Sequence, residues 1–101
     1  MKKWEKKEQK DARLFQGRRQ TGSGNKWYAP GDCKTDVLLI DSKQTDKKSY
    51  SVSIETWDKL YEEALFAQRI PVLSLEIQKT SLVVLDLDDF LPMIKKLGII
   101  K

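Results

Sequence analysis

The amino-acid sequence predicts an α/β fold, a mixed central β-sheet flanked by helices, in a single domain spanning residues 1–101. Three observations carry this. Val37, Leu38, Leu39 and Ile40, and again the run over 82–87, are apolar on both alternating parities, the pattern of strands covered on both faces. Between them, Ile54, Trp57, Leu60, Tyr61, Ala64 and Leu65 share one face at helical spacing. Glycine and proline punctuate the chain at Gly17, Pro30-Gly31, Pro71 and Gly98, where elements have to begin or end. A chain of 101 residues has material for one sheet and two or three helices, and none for a second catalytic unit.

Good helix formers fill 3–16 without Pro or Gly, with Trp4, Ala12 and Phe15 along one stripe, so a first helix is expected there, stopped by Gly17. Residues 18–25 read as a flexible basic Gly/Ser loop. After Pro30-Gly31, residues 32–35 and 37–43 read as two strands in a hairpin that turns at Thr35-Asp36. Ser53 is placed to cap a helix over 54–69, with Val52 and Trp57 at the staple positions around it. Pro71 opens a strand over 72–77, a turn over 78–81 leads into a strand over 82–87, and Asp88 or Asp89 caps a last short helix. That helix tolerates Pro92 near its first turn and ends at Gly98.

Composition removes whole classes of chemistry. Cys33 is the only cysteine and there is no histidine, which excludes an intrachain disulfide, a Cys/His zinc site and any imidazole general base. An enzyme with this composition works with carboxylates, lysine and a hard metal ion. The net charge of +4 and pI near 9.2 favour a polyanionic partner. Basic residues crowd the first third, whereas Asp86, Asp88 and Asp89 form an acidic patch near the end. No run approaches the length of a membrane span, and the first residues lack the apolar stretch of a signal peptide. A soluble, cytoplasmic protein that does not bind membrane is therefore expected.

Asp41 and Lys43 stand two apart at the end of an apolar strand, so they project to one face while Ser42 points to the other. Asp32, nine residues earlier at the edge of the paired strand, offers a second carboxylate; Asp36, five residues before Asp41, leaves no room for a hairpin. Two carboxylates make an oxygen site suited to Mg²⁺ or Mn²⁺, and a lysine beside them suits in-line hydrolysis of a phosphodiester. Asp-x-Lys alone is a short and frequent string, and the wider pattern gives it weight.

With a basic first helix, Gly22-Ser23-Gly24, Gly31-Asp32 in the place of Pro-Asp, Leu39-Ile40-Asp41-Ser42-Lys43, then Thr45, Ser49 and Pro71, the chain resembles the PD-(D/E)xK nuclease superfamily. Within it, the archaeal-type Holliday junction resolvases and similar small phage endonucleases fit best. The resemblance implies a restriction-endonuclease-like core, Asp32 and Asp41 as metal ligands, and Lys43 positioning the attacking water. It also implies an acidic residue from the first helix, where Glu5 fits better than Glu8, and Ser23 near the scissile region.

Arg18, Arg19, Lys26, Lys47 and Lys48 flank the expected site and are candidate phosphate contacts. Trp27 and Tyr28 are read as packing rather than base-stacking residues, and Trp57 as core. A single-site chain that cuts a four-way DNA junction twice is expected to be a homodimer, with Leu97, Ile99 and Ile100 helping its interface. The alternatives are a nicking or restriction-type nuclease on linear duplex and a non-catalytic nucleic-acid-binding module of the same fold.

Overall fold

The computed structural model describes residues 2–19 and 33–101. Its elements run α1 (Lys3–Leu14), β1 (Arg18–Arg19), β2 (Cys33–Lys34), β3 (Leu38–Thr45), α2 (Ile54–Phe66), β4 (Ile70–Ile77), β5 (Thr80–Leu85) and α3 (Leu87–Lys96). The strands make one mixed sheet in sequential order, three full strands β3-β4-β5 extended by the two-residue strands β2 and then β1. The pairs β1–β2, β2–β3 and β4–β5 are antiparallel, whereas β3–β4 is parallel from Leu38↔Ile70 to Thr45↔Ile77. A parallel step needs a crossover, and α2 supplies it. The expected α/β class, with a mixed sheet between helices, agrees with this architecture.

The central strands owe their place to the double apolar parity. Leu39 and Ile40, neighbours on β3, are both fully buried, each in a different cluster on a different face. Leu39 packs with Leu60 and Ala64 of α2 and with Leu73 and Leu75, and Tyr50, Trp57 and Val84 close the edge of this cluster. Ile40 and Val72 pack with Ala12 and Phe15 of α1 on the other face. The sheet is therefore sandwiched, α1 on one side and α2 on the other.

Several boundaries differ from the expectation. Arg18-Arg19 forms a strand instead of opening a loop, because β2 offers it a ladder that no local signal announces. The last strand occupies Thr80–Leu85 rather than 82–87, and it is the sheet's edge: Leu82 and Val83 are about half exposed despite their apolar run. Asp86, not Asp88 or Asp89, caps α3, accepting from the Asp88 amide at 2.8 Å. This earlier start moves Pro92 into the second helical turn, where its missing N–H leaves one carbonyl without a helical donor. The α2 stripe is only half used: Leu60 and Ala64 are buried, while Ile54, Tyr61 and Leu65 are exposed. Ser53 caps α2 as expected, accepting from the Thr56 amide at 3.1 Å.

All three helices end in paired reverse hydrogen bonds, 6→1 and 5→2, around a left-handed residue. In α3 that residue is Gly98, but in α1 and α2 it is Gln16 and Gln68, with φ of 56° and 57°. A residue with a Cβ pays about 1–2 kcal/mol there. Part of this returns as the unfolded-state entropy a glycine would add. Gln68→Gly is expected to raise stability by about 0.5–1 kcal/mol, read as a melting temperature a few degrees higher.

Candidate functional site

β3 carries the expected pair to one place. Asp41 and Lys43 share the parity of Leu39, so they project to the α2 side of the sheet, in the half of the strand beyond the buried Leu39-Ile40 core. Lys43 Nζ lies 3.5 Å from Asp41 Oδ2, with the Asp41 side chain about one-fifth exposed and that of Lys43 about two-fifths. A carboxylate and an ammonium are thus held together at the surface of a rigid central strand, within reach of a ligand and still partly screened from water.

The other face of the same strand carries charge that the sequence did not announce. Ser42, between the pair, points to α1 and donates to Asp11 Oδ2 at 2.5 Å. Lys7 Nζ donates to Asp11 Oδ1 at 3.0 Å and to Ser74 Oγ at 2.8 Å. Ser42 and Ser74 are register partners on the parallel strands, so one helix-borne ion pair ties both strands together. Lys7, Asp11, Ser42, Ser74 and Glu8 are all buried. The missed signal was the i,i+4 spacing of Lys7 and Asp11 in line with Ala12 and Phe15. It goes with two serines set among the apolar residues of strands that pair.

Glu5 lies in the first turn of α1, the helix packed on the face opposite Asp41 and Lys43; no described hydrogen bond or ion pair joins it to them. Arg18 pairs in register with Lys34, beside a cleft of about 480 Å³ that both line with Phe15 and Thr35. Lys47 and Lys48 follow the far end of β3 and are exposed. The Arg18 end and the Lys47 end therefore lie on either side of the Asp41/Lys43 pair. Arg19 belongs to the two-residue strand β1. Asp32, Ser23, Lys26, Trp27 and Tyr28 lie outside the described residues.

Among the described residues no group of three or more acidic, cysteine or histidine side chains gathers to hold a metal. Asp41 is an oxygen donor of the kind a hard cation takes, with a cation, Lys43, already attracted to it. The second carboxylate of the expected donor set, Asp32, is outside the described residues, so among the described residues of that set Asp41 alone would offer a hard cation an oxygen. Next to the far end of β3, the Lys3 ammonium, then the Gln44 amide, hydrogen-bond Asp46 and hold its carboxyl below its ordinary value. A lowered folded pKa means that this tether of α1 is present above the ordinary carboxylate range and is lost as pH falls through the lowered value.

Set against models of known families, curated proteins and solved structures, the chain matches none. No helix among the described residues is long and apolar enough to cross a membrane.

Proposed function

We propose that this chain is a metal-dependent, structure-specific DNA endonuclease with a restriction-endonuclease-like core, and that it acts as a dimeric Holliday junction resolvase in the cytoplasm. The observation that carries the reading is the Asp41–Lys43 pair, 3.5 Å apart on one face of a central strand. A mixed sheet covered by helices on both faces is the scaffold the PD-(D/E)xK resemblance requires, and the sequence order around the pair agrees with it.

On this reading Asp41 and Asp32 would hold Mg²⁺ or Mn²⁺, which when bound supplies Lewis-acid polarisation of the phosphate and lowers the pKa of a water. Lys43 would orient the attacking water and hold positive charge beside the developing negative charge on the phosphoryl oxygens. Basic side chains at the two ends of β3, Arg18 with Arg19 on one and Lys47 with Lys48 on the other, would take backbone phosphates and fix the scissile bond between them. Ser23 and Lys26 would add contacts from the intervening segment, and Glu5 a further carboxylate.

A junction with two equivalent cuts calls for two sites, and exposed apolar residues at the C-terminal end support a two-fold dimer. The helix α3 buries none of its residues, and Leu97 and Ile99 are 74% and 67% exposed. A sedimentation mass of one chain under conditions of activity would count against the dimer.

The test is cleavage of a labelled four-way junction and a matched linear duplex, with Mg²⁺ or with chelator, by the intact chain and by Asp41→Ala. Symmetric cuts in the junction are expected, dependent on metal and lost in the variant. Cutting of the linear duplex alone would reassign the substrate. Junction binding without cutting under any metal would leave a non-catalytic binding module.

A further inference from the structure

The parallel pairing of β3 and β4 brings both of their C-terminal ends to one pole of the molecule. Lys47 and Lys48 follow β3 there, and Lys79 sits in the turn that joins β4 to β5. The start of α1 reaches the same pole, tethered by Lys3 to Asp46 and by Lys10 Nζ to Glu76 at 3.1 Å. Between them opens a cleft of about 670 Å³ lined, among the described residues, by polar and charged side chains, including Lys3, Lys6, Gln44 and Lys79. Among the described residues, Lys3, Lys6 and Lys79 line it with two carboxylates, Asp46 and Glu76, and Lys2, Lys47 and Lys48 adjoin these residues in the chain. Among the described residues, ion pairs occupy Lys3 and Lys10, whereas Lys2, Lys6, Lys47, Lys48 and Lys79 have no carboxylate partner.

Two features set this pole apart from ordinary solvated surface. Lysines at the start of a helix oppose its dipole and cost stability, and Lys2 at the N-cap provides no side-chain cap in return. Glu5 in the first turn and Arg13 in the last offset this in part, whereas α3 has Asp88 and Asp89 in its first turn and Lys95 and Lys96 in its last. Among the described residues the cleft presents no aromatic or large aliphatic side chain of the kind that anchors protein–protein interfaces, which favours a polyanion whose charges repeat along its length.

We propose that this lysine pole is a second binding surface for the sugar–phosphate backbone of duplex DNA. It rests on the reading of DNA as the substrate and extends it by a site that the motif does not include. The cleft opens on the α1 side of the sheet, where Gln44 and Glu76 project, whereas Asp41 and Lys43 project to the α2 side, so a backbone held at the pole is a contact separate from the pair.

The test is fluorescence anisotropy of a labelled 20-base-pair duplex titrated with the full chain over a range of salt concentrations, without divalent metal. The intact protein is compared with Lys2→Ala/Lys6→Ala/Lys79→Ala. The dependence of log affinity on log salt is expected to become shallower by about 2–3 in the variant, about 0.9 for each phosphate left without its lysine, at an unchanged or higher melting temperature. An unchanged slope and affinity, or an intact protein that does not bind duplex at all, would overturn the proposal. Cleavage of the four-way junction on the same samples separates it from the nuclease reading. Lysine-dependent binding without metal-dependent cutting keeps the pole and removes the nuclease, and cutting with lysine-independent binding does the reverse.

Discussion

Asp11→Ala is expected to cost about 3–5 kcal/mol, a large share of the roughly 5–15 kcal/mol that stabilises a domain of this size. The carboxylate is 1% exposed and satisfies two donors at once, Lys7 Nζ and Ser42 Oγ. Its removal leaves an ammonium, itself 3% exposed, with only the Ser74 hydroxyl as a described partner. The penalty arises from that stranded charge rather than from the strength of the pair. Replacing both partners with apolar residues, Lys7→Met with Asp11→Leu, removes the charge as well and is therefore expected to cost much less than Asp11→Ala alone. Urea denaturation of the three proteins checks this, and a double variant as unstable as the single one would show that the network contributes specific stability beyond charge compensation.

Lys43→Ala is expected, on the nuclease reading, to slow metal-dependent cleavage by about three orders of magnitude, within the range a positioned proton-transfer group contributes. The fold should barely register the loss of the Asp41 pair, since a partly exposed ion pair is worth about 1 kcal/mol or less. Affinity for the junction should change little in comparison. Lys43→Arg sharpens the test, because a guanidinium keeps the charge but cannot give up a proton at neutral pH. Single-turnover cleavage with saturating enzyme measures the chemical step directly. Recovery in Lys43→Arg would make charge the whole contribution, continued loss would implicate the proton, and a wild-type rate in Lys43→Ala would remove Lys43 from the mechanism.

Periodicity makes the elements buried on two faces legible. Leu39 and Ile40, on opposite parities, correctly place β3 at the centre, and the Val52-Ser53 sequence with Trp57 correctly places the start of α2. The same rule misreads β5, where an apolar run lies at an exposed edge, because parity reports the potential for burial and not which neighbours arrive to provide it. In α1 the hydropathy pattern points to Trp4, which is 50% exposed, whereas the buried positions are Lys7, Glu8 and Asp11. A charged residue reads as solvent-facing until its partner is known, and the partners Ser42 and Ser74 lie more than thirty and sixty residues away. Of the candidate site, the Asp41–Lys43 proximity was legible because strand geometry alone fixes it. The convergence of Lys3, Lys47 and Lys79 was not, because it depends on the parallel crossover.

The division of β3 into a face that fastens and a face that, on the nuclease reading, meets the ligand has a genetic consequence. A substitution at Ser42 disturbs the bond to Asp11 and reduces the amount of folded chain, so its carrier has less protein and an unaltered remainder. A substitution at Lys43 is expected to leave abundance nearly unchanged and, on the nuclease reading, to yield an inert chain that still occupies DNA and still pairs with intact copies. The first kind would behave as recessive, complemented by any normal allele. The second would poison mixed dimers and block junctions, and would be dominant, so adjacent codons of one strand would give opposite inheritance.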